Sequence, residues 1–432
     1  MKFIPYDYQE VGIDFIVGRK RCLLWDEMGL GKTIQSLGAV DREGKDVDKF
    51  NTLVVCRASL CMMWVEFIRA AFGEDVCVVE IRNAKTAVTL YGKYRFVVAS
   101  NAYLRKNWTR LTKVKWHRII VDEYQDFTNP GSQQYKGLKA ITDKSNAKVV
   151  LMTGTLIKTK GEQYWSALNF CEPGKWGNIF QFRNRFCEIK VDWFSGANKY
   201  LGIRADKIEI INKAFKRVGL RRLLKDHAKE LPPVSFQDVY ITTDYKPEDA
   251  GYGVDLDTGL FTGVEHLKIK TELMRLGFAK ADPAAEFIAS IGRPVIAFCF
   301  NPEVCERIKF VLVKQGIKTG IISGRYSRAK QHKAKEDFQN GGVEVLLLTH
   351  ETGGSGLTLT RAADCVFVQY PWSPADYWQC CKRIYRKTQE AKSVRYYNLV
   401  VKGSYDDYQL SKLIDRSEFM RGVSGDIKEG TI

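Results

Sequence analysis

Gly29-Leu30-Gly31-Lys32-Thr33 follows the apolar run Arg21-Cys22-Leu23-Leu24-Trp25 and opens a stretch, Thr33 to Val40, of helical character. Glycines in such a turn let backbone N–H groups face inward onto phosphate oxygens, and a helix N-terminus adds positive potential there. Lys32 can reach the outer phosphates of a nucleoside triphosphate, and the Thr33 hydroxyl can hold Mg²⁺. Asp26, Glu27 and Met28 complete the loop. The general phosphate-loop pattern places a glycine where this chain has Asp26, so the match fails at its first position. Taken alone, an ordinary strand-to-helix turn also accounts for these residues.

Two further groups could work with such a loop. Asp122-Glu123 follows the apolar run His117-Arg118-Ile119-Ile120-Val121. At the carboxyl end of a buried strand, Asp122 can bind Mg²⁺ and Glu123 can orient and deprotonate an attacking water. A solvated turn is the plainer alternative. Gln379, Arg383 and Arg386 stand at helical spacings of four and three and so share a predicted face. Two arginines there form either a surface salt-bridge stripe or fingers aimed at a γ-phosphate, worth roughly 10³–10⁵ in rate where they are known.

The elements that must position these residues follow an α/β pattern. Thr52–Cys56, Phe96–Ser100, His117–Val121 and Lys148–Met152 read as strands, the last ending on Thr153-Gly154-Thr155. Strands this apolar are buried on both faces, which predicts a parallel sheet covered by helices. The pattern restarts with Pro294–Phe300, Lys318–Ile322, Glu344–Thr349 and Cys365–Val368. Two α/β lobes in tandem are therefore expected. Residues 160–235 are aromatic, basic and helical in spacing, and 236–290 read as a linker and the start of the second lobe.

Length and composition bound the answer. At 432 residues and 45% hydrophobic, the chain can fill two or three cores. No apolar run is long enough for a membrane span, and Met1-Lys2-Phe3-Ile4-Pro5 lacks a signal core. Eleven cysteines, none in a Cys-x-x-Cys pair, support neither a zinc ribbon nor a disulfide framework. An intracellular setting is expected: bacterial cytoplasm or nucleoid, a virus-infected cell, or a nucleus. The formal charge of +17 suits a polyanion-binding face, although a soluble basic surface gives the same count. The charge is spread along the chain, so binding would lie on the folded surface. There is no internal repeat.

The ordered set resembles the SWI/SNF-type family of DNA translocases, within the DEAD/DEAH-like helicase superfamily two, from about residue 3 to about residue 400. Pro5-Tyr6-Asp7-Tyr8-Gln9 resembles the family's leading glutamine motif. Asp26-Glu27-Met28-Gly29-Leu30-Gly31-Lys32-Thr33 matches its form of the phosphate loop at every position. Val55-Cys56, Ser59-Leu60, Trp64 and Glu66 resemble the motif beside the DNA track, and Asn129 and Ser132 fit the segment after Asp122-Glu123. Leu220-Arg221-Arg222-Leu223-Leu224-Lys225 with Leu231-Pro232-Pro233 is similar to its arginine-pair segment. Gly353-Gly354-Ser355-Gly356-Leu357-Thr358-Leu359-Thr360 resembles its glycine-rich second-lobe motif. The chain departs at Gln125 (usually His), Leu156 (Pro), Thr159 (Asn) and Ser373 (Asn).

The resemblance implies two tandem RecA-like lobes with parallel sheets and a helical protrusion: 1–160, 161–235 for the protrusion, 236–290 for the linker and 291–432. It implies ATP and Mg²⁺ as cofactors. Gln9 would read adenine; Met28, Gly29, Leu30, Gly31, Lys32, Thr33 and Gly356 would hold the nucleotide; Thr33 and Asp122 would hold the metal. Glu123, Arg383, Arg386 and Lys32 would be catalytic. Trp64, Arg221, Thr349, Gly353 and Trp372 would line the DNA track, with packing inside a lobe an equal role for each tryptophan. The expected activity is DNA-dependent ATP hydrolysis driving movement along duplex or branched DNA, mostly through backbone contacts. Repair, recombination and replication are the implied settings. The chain would act as a monomer, off the membrane, alone or with targeting proteins. Two alternatives stand: a strand-separating, annealing or branch-migrating helicase, and a nucleotide-gated DNA-binding adaptor with little turnover.

Overall fold

Short apolar strands alternating with helices build two separate parallel sheets in the computed structural model. It describes the chain except for residues 84–85, 87–89, 155–162, 192–197, 228–231, 246–262, 354–356, 387–388, 412 and 414–432. The chain divides between His227 and Ala228.

The first unit carries β1 (Arg21–Leu24), β2 (Phe50–Cys56), β3 (Cys77–Ile81), β4 (Tyr94–Ser100), β5 (Arg118–Val121) and β6 (Lys148–Met152). A small antiparallel hairpin, β7 (Cys187–Val191) and β8 (Asn198–Ile203), follows, then β9 (Gly219–Leu220). The sheet order is β3-β4-β2-β5-β6-β1-β9, and every pair is parallel. Helices α1 (Asp7–Val17), α2 (Lys32–Gly44) and α3 (Cys61–Phe72) place Ile13, Ile16, Leu37, Val40, Trp64 and Ile68 in a core against Leu24, Val54, Val98 and Ile120.

The second unit carries β10 (Val234–Tyr240), β11 (Val295–Cys299), β12 (Thr319–Ile322), β13 (Val345–Thr349), β14 (Asp364–Phe367) and β15 (Val394–Val400). Their order is β10-β15-β14-β11-β13-β12, again all parallel. Leu346, Leu348 and Phe367 face one side's core, and Val345, Leu347 and Val366 face the other. This two-sided burial produces the continuous apolar runs read in the sequence.

Three sequence expectations need correction. Residues 160–235 are not wholly helical: besides Gln163–Cys171, Ile179–Phe186 and Ile208–Val218 they hold the β7–β8 hairpin and β9. The predicted linker begins inside β10, an exposed edge strand of the second sheet whose mixed side chains hide its pairing with β15. The linker's later part is helix Gly263–Ser290. β3 and β15 were not read as strands: β3 is a half-exposed edge, and β15 is interrupted by Arg395 and Asn398. Both polar residues are answered, Arg395 by Asp364 at 3.0 Å and Asn398 by Asp238 at 2.8 Å. Among the described residues no helix is long and apolar enough to cross a membrane.

One buried ion pair fixes helix Gly263–Ser290 to the second sheet. Lys280 Nζ donates to Asp406 Oδ2 at 2.8 Å and to the Leu399 carbonyl at 2.6 Å, and neither charged side chain is more than 3% exposed. Burial pulls the lysine pKa down and Asp406 opposes that. Lys280→Met strands a buried carboxylate and is expected to cost about 3–5 kcal/mol. Adding Asp406→Leu should return part of that loss. Urea unfolding checks both; equal stability of single and double variants would contradict the pairing.

Candidate nucleotide site

The loop after β1 turns on two left-handed glycines, Gly29 (φ 96°) and Gly31 (φ 72°), a region that side chains resist. Gly31 is also the N-cap of α2, so its successors Lys32 and Thr33 begin the helix. A Cβ on Gly31 would lie 2.3 Å from Gln9 Nε2 and would displace that amide from the loop. Gln9 is buried, donates to the Leu30 carbonyl at 3.2 Å, and accepts the Tyr6 N–H at 3.0 Å. Its amide thus braces the loop expected to bind beside it. Lys32 Nζ lies within the loop, donating to the carbonyls of Asp26 (2.6 Å) and Glu27 (3.2 Å). Met28 packs against Gly154 from β6's end: a Cβ there would stand 2.5 Å from Met28 Cγ and 3.7 Å from Lys32 Nζ.

Asp122 follows β5 and Glu123 follows it in a left-handed conformation (φ 52°), unusual for glutamate and typical of functional turns. The Asp122 carboxylate accepts the Trp64 Nε1–H at 2.9 Å and the Glu123 N–H at 3.0 Å. Desolvation and the adjacent Glu123 charge push its pKa up to about 6, with the Trp64 N–H and Lys32 pulling the other way. Gln125 donates to the Glu123 carboxylate and accepts the Thr153 hydroxyl at 2.7 Å. The glutamine at the family's histidine position thus bridges the ends of β5 and β6. Behind it, Arg57 after β2 grips Asp126 with two bonds of 2.6 and 2.9 Å.

The root of the loop is held by residues from far along the chain. Arg221 donates to the Trp25 carbonyl at 2.9 Å and lies over the Trp25 ring. Arg222 pairs with Asp26, whose side chain has no exposed surface.

In the second unit, Arg383 and Arg386 fall beyond helix Pro374–Cys381, which ends before them. The expected helical stripe is therefore corrected to a turn. Both guanidiniums converge on one acceptor, the Leu357 carbonyl within the glycine-rich motif, each at 3.1 Å. Arg383 is fully buried, and burial pulls Arg386 down to about 10. Ser373 replaces asparagine as the cap of that helix, accepting the Asp376 N–H at 3.1 Å. Gly356, like Thr155, Leu156 and Thr159, lies outside the described residues.

Of the predicted DNA-track residues, Trp64 is fully buried, its ring in the first core and its N–H on Asp122, so no DNA contact fits it. Arg221 faces the loop root. Trp372 packs edge-on against Phe300 (5.7 Å) and Tyr405 (6.4 Å). Thr349 ends β13, is 5% exposed and shares a hydroxyl bond with Thr352, beside Gly353. Sequence reading named Arg222 only within the arginine-pair segment and missed its bond to Asp26, Gln35 and the Gln125–Thr153 bridge. The buried Asp26, in place of a glycine, was the signal that a cation had to answer it.

Comparison with known proteins adds a decisive observation. A family model of the SNF2-related domain matches residues 8–250, and the helicase conserved C-terminal domain matches residues 279–388. The chain belongs to the SNF2-related family. It is 28% identical, over 93% of its length, to an uncharacterized ATP-dependent helicase of Mycoplasma pneumoniae, spanning 40% of that protein. It is 23% identical, over 94% of its length, to the human DNA annealing helicase and endonuclease ZRANB3, spanning 39% of it. Against a SWI/SNF-related regulator of chromatin subfamily A-like protein 1 homolog of Caenorhabditis elegans the identity is 24%, over 97% of this chain and 62% of the relative. The SNF2-family chain therefore spans under two thirds of each of these relatives. A solved structure of the Sulfolobus solfataricus SWI2/SNF2 ATPase core in complex with dsDNA is 21% identical, with a TM-score of 0.47 over 99% of this chain and 94% of that one.

The Trp64–Asp122 bond has a direct test. Trp64→Phe keeps the ring's bulk but removes the donor, and should lower stability by about 1–3 kcal/mol. DNA affinity without nucleotide should be unchanged. A tenfold affinity loss at retained stability would return Trp64 to the DNA track.

Proposed function

We propose that this SNF2-family chain hydrolyses ATP to move along duplex DNA. The observation that carries the reading is the convergence on one sheet edge: the Gly29–Gly31 loop opening α2, Lys32 within it, and Asp122-Glu123 tied through Gln125 to Thr153. The retained Lys32, Asp122 and Glu123 weigh against an adaptor without turnover.

The residues fit Mg²⁺. A carboxylate pushed up to about 6 by burial and a second carboxylate gains from a cation beside it, and Thr33 offers a hydroxyl in the first turn of α2. Thr33 and Asp122 would hold the ion, which when bound would neutralise charge building on the phosphate oxygens. The amides of Gly29 to Thr33 bind the phosphates, and Lys32 leaves the loop carbonyls for the outer phosphate. Glu123 orients the attacking water and accepts its proton, held in aim by Gln125. Arg383 and Arg386 of the second unit are the proposed finger residues, and their shared Leu357 carbonyl keeps both heads together.

The +17 charge and family membership support DNA as the track, read mainly through its phosphates. We take the chain to work as a monomer inside the cell, alone or with targeting proteins. An annealing or branch-migrating outcome is the second reading, favoured by the likeness to an annealing helicase over 94% of this chain.

ATP turnover should rise severalfold or more with duplex DNA, and a comparison of duplex, single strand, fork and four-way junction ranks the substrates. Equal rates with and without every nucleic acid would sink the motor reading. Glu123→Gln should bind ATP normally while turnover falls by roughly 10²–10⁴. Normal turnover in that variant would remove Glu123 as the base.

A further inference from the structure

The first position of the loop holds a buried acid instead of a glycine, and a buried charge must be paired. The Asp26 side chain has no exposed surface, and Arg222 answers it with both arms of its guanidinium, Nε on Oδ1 at 3.0 Å and Nη2 on Oδ2. Nη2 also donates to Gln35 Oε1 at 2.6 Å, and Gln35 Nε2 returns to Asp26 Oδ2 at 3.1 Å and to the Leu30 carbonyl at 3.1 Å. Nη1 donates to the Tyr8 carbonyl, and the guanidinium lies over the Tyr8 ring at 5.5 Å.

The backbone repeats the link. β9 pairs with β1, and its ladder runs on into the loop: Trp25 N–H to the Leu220 carbonyl at 2.8 Å, Glu27 N–H to the Arg222 carbonyl at 2.9 Å. Space for the network depends on Gly12 of α1, where a Cβ would stand 1.8 Å from Gln35 Oε1 and 2.8 Å from Arg222 Nη2.

We propose that Arg222 is a positioning residue for nucleotide turnover, setting the shape of the 26–33 loop through Asp26 and Gln35. The proposal rests on reading that loop as the ATP site. Arg222 touches neither end of the expected phosphate path; it acts on the residues whose carbonyls and amides form it. Its fork geometry matters as much as its charge, because one ammonium cannot serve Asp26, Gln35 and the Tyr8 carbonyl together.

The test compares the whole chain with Arg222→Lys and Asp26→Asn at saturating duplex DNA. Each variant should stay folded by thermal unfolding while KM for ATP rises roughly tenfold or more and kcat falls less. Because both residues act as one unit, Asp26→Asn/Arg222→Lys should raise KM no further than the worse single variant. Unchanged KM in folded single variants, or additive losses, would overturn the proposal. Equilibrium binding of a fluorescent ATP analogue separates it from the functional reading. Binding by the unaltered chain without turnover defeats the motor reading, while weaker binding by Arg222→Lys still supports the positioning role. Equal binding overturns that role, and no binding by either defeats both.

Discussion

Common strand direction is the constraint on which the site depends. In a parallel sheet every strand delivers its carboxyl end to the same edge, and the order β2-β5-β6-β1 makes four such ends neighbours. Arg57, Asp122-Glu123, Thr153-Gly154 and the 26–33 loop are thereby gathered without any of them being close in sequence. The helices and the two-sided apolar core hold that edge still. Side-chain bonds then join the ends sideways: Arg57 to Asp126, Gln125 to Glu123 and Thr153, Met28 against Gly154.

Partly and fully buried charges set the finer geometry. Asp26 and Asp122 are both carboxylates in poor solvent, but they are treated differently. Asp26 is fully compensated by Arg222 and Gln35 and so acts as an anchor. Asp122 has N–H donors and a nearby Lys32, and its pKa is still pushed up to about 6. That residual cost is what a divalent cation would relieve. An anchor and a proposed metal ligand thus differ through the donors around the same residue type.

Much of this was legible in the sequence, for identifiable reasons. Buried parallel strands are continuous apolar runs, so β1, β2, β4, β5, β6 and β11 to β14 could be read to within a residue or two. The proposed roles of Gly29, Gly31, Lys32, Asp122 and Glu123 rest on residue type and spacing. What escaped was fixed by contacts across the chain. β10 is an exposed edge whose pairing is supplied by β15, and a strand of two residues such as β9 has no periodicity to detect. Arg383 and Arg386 keep helical spacing on a turn, because convergence on the Leu357 carbonyl outweighs local propensity. Trp64 was open between the DNA track and lobe packing by motif position; its ring is buried and its indole N–H lies on Asp122. Arg222 was read only as part of the arginine-pair segment, because the partner that ties it to the loop stands 196 positions earlier.

In the proposed function ATP hydrolysis drives displacement along a duplex, and movement is separable from hydrolysis alone. Release of a third strand from a duplex carrying a short triplex reports that movement without requiring strand separation. The account predicts release with ATP, none with a non-hydrolysable analogue, and an intact underlying duplex. ATP turnover stimulated by the same DNA with the third strand left in place would contradict it.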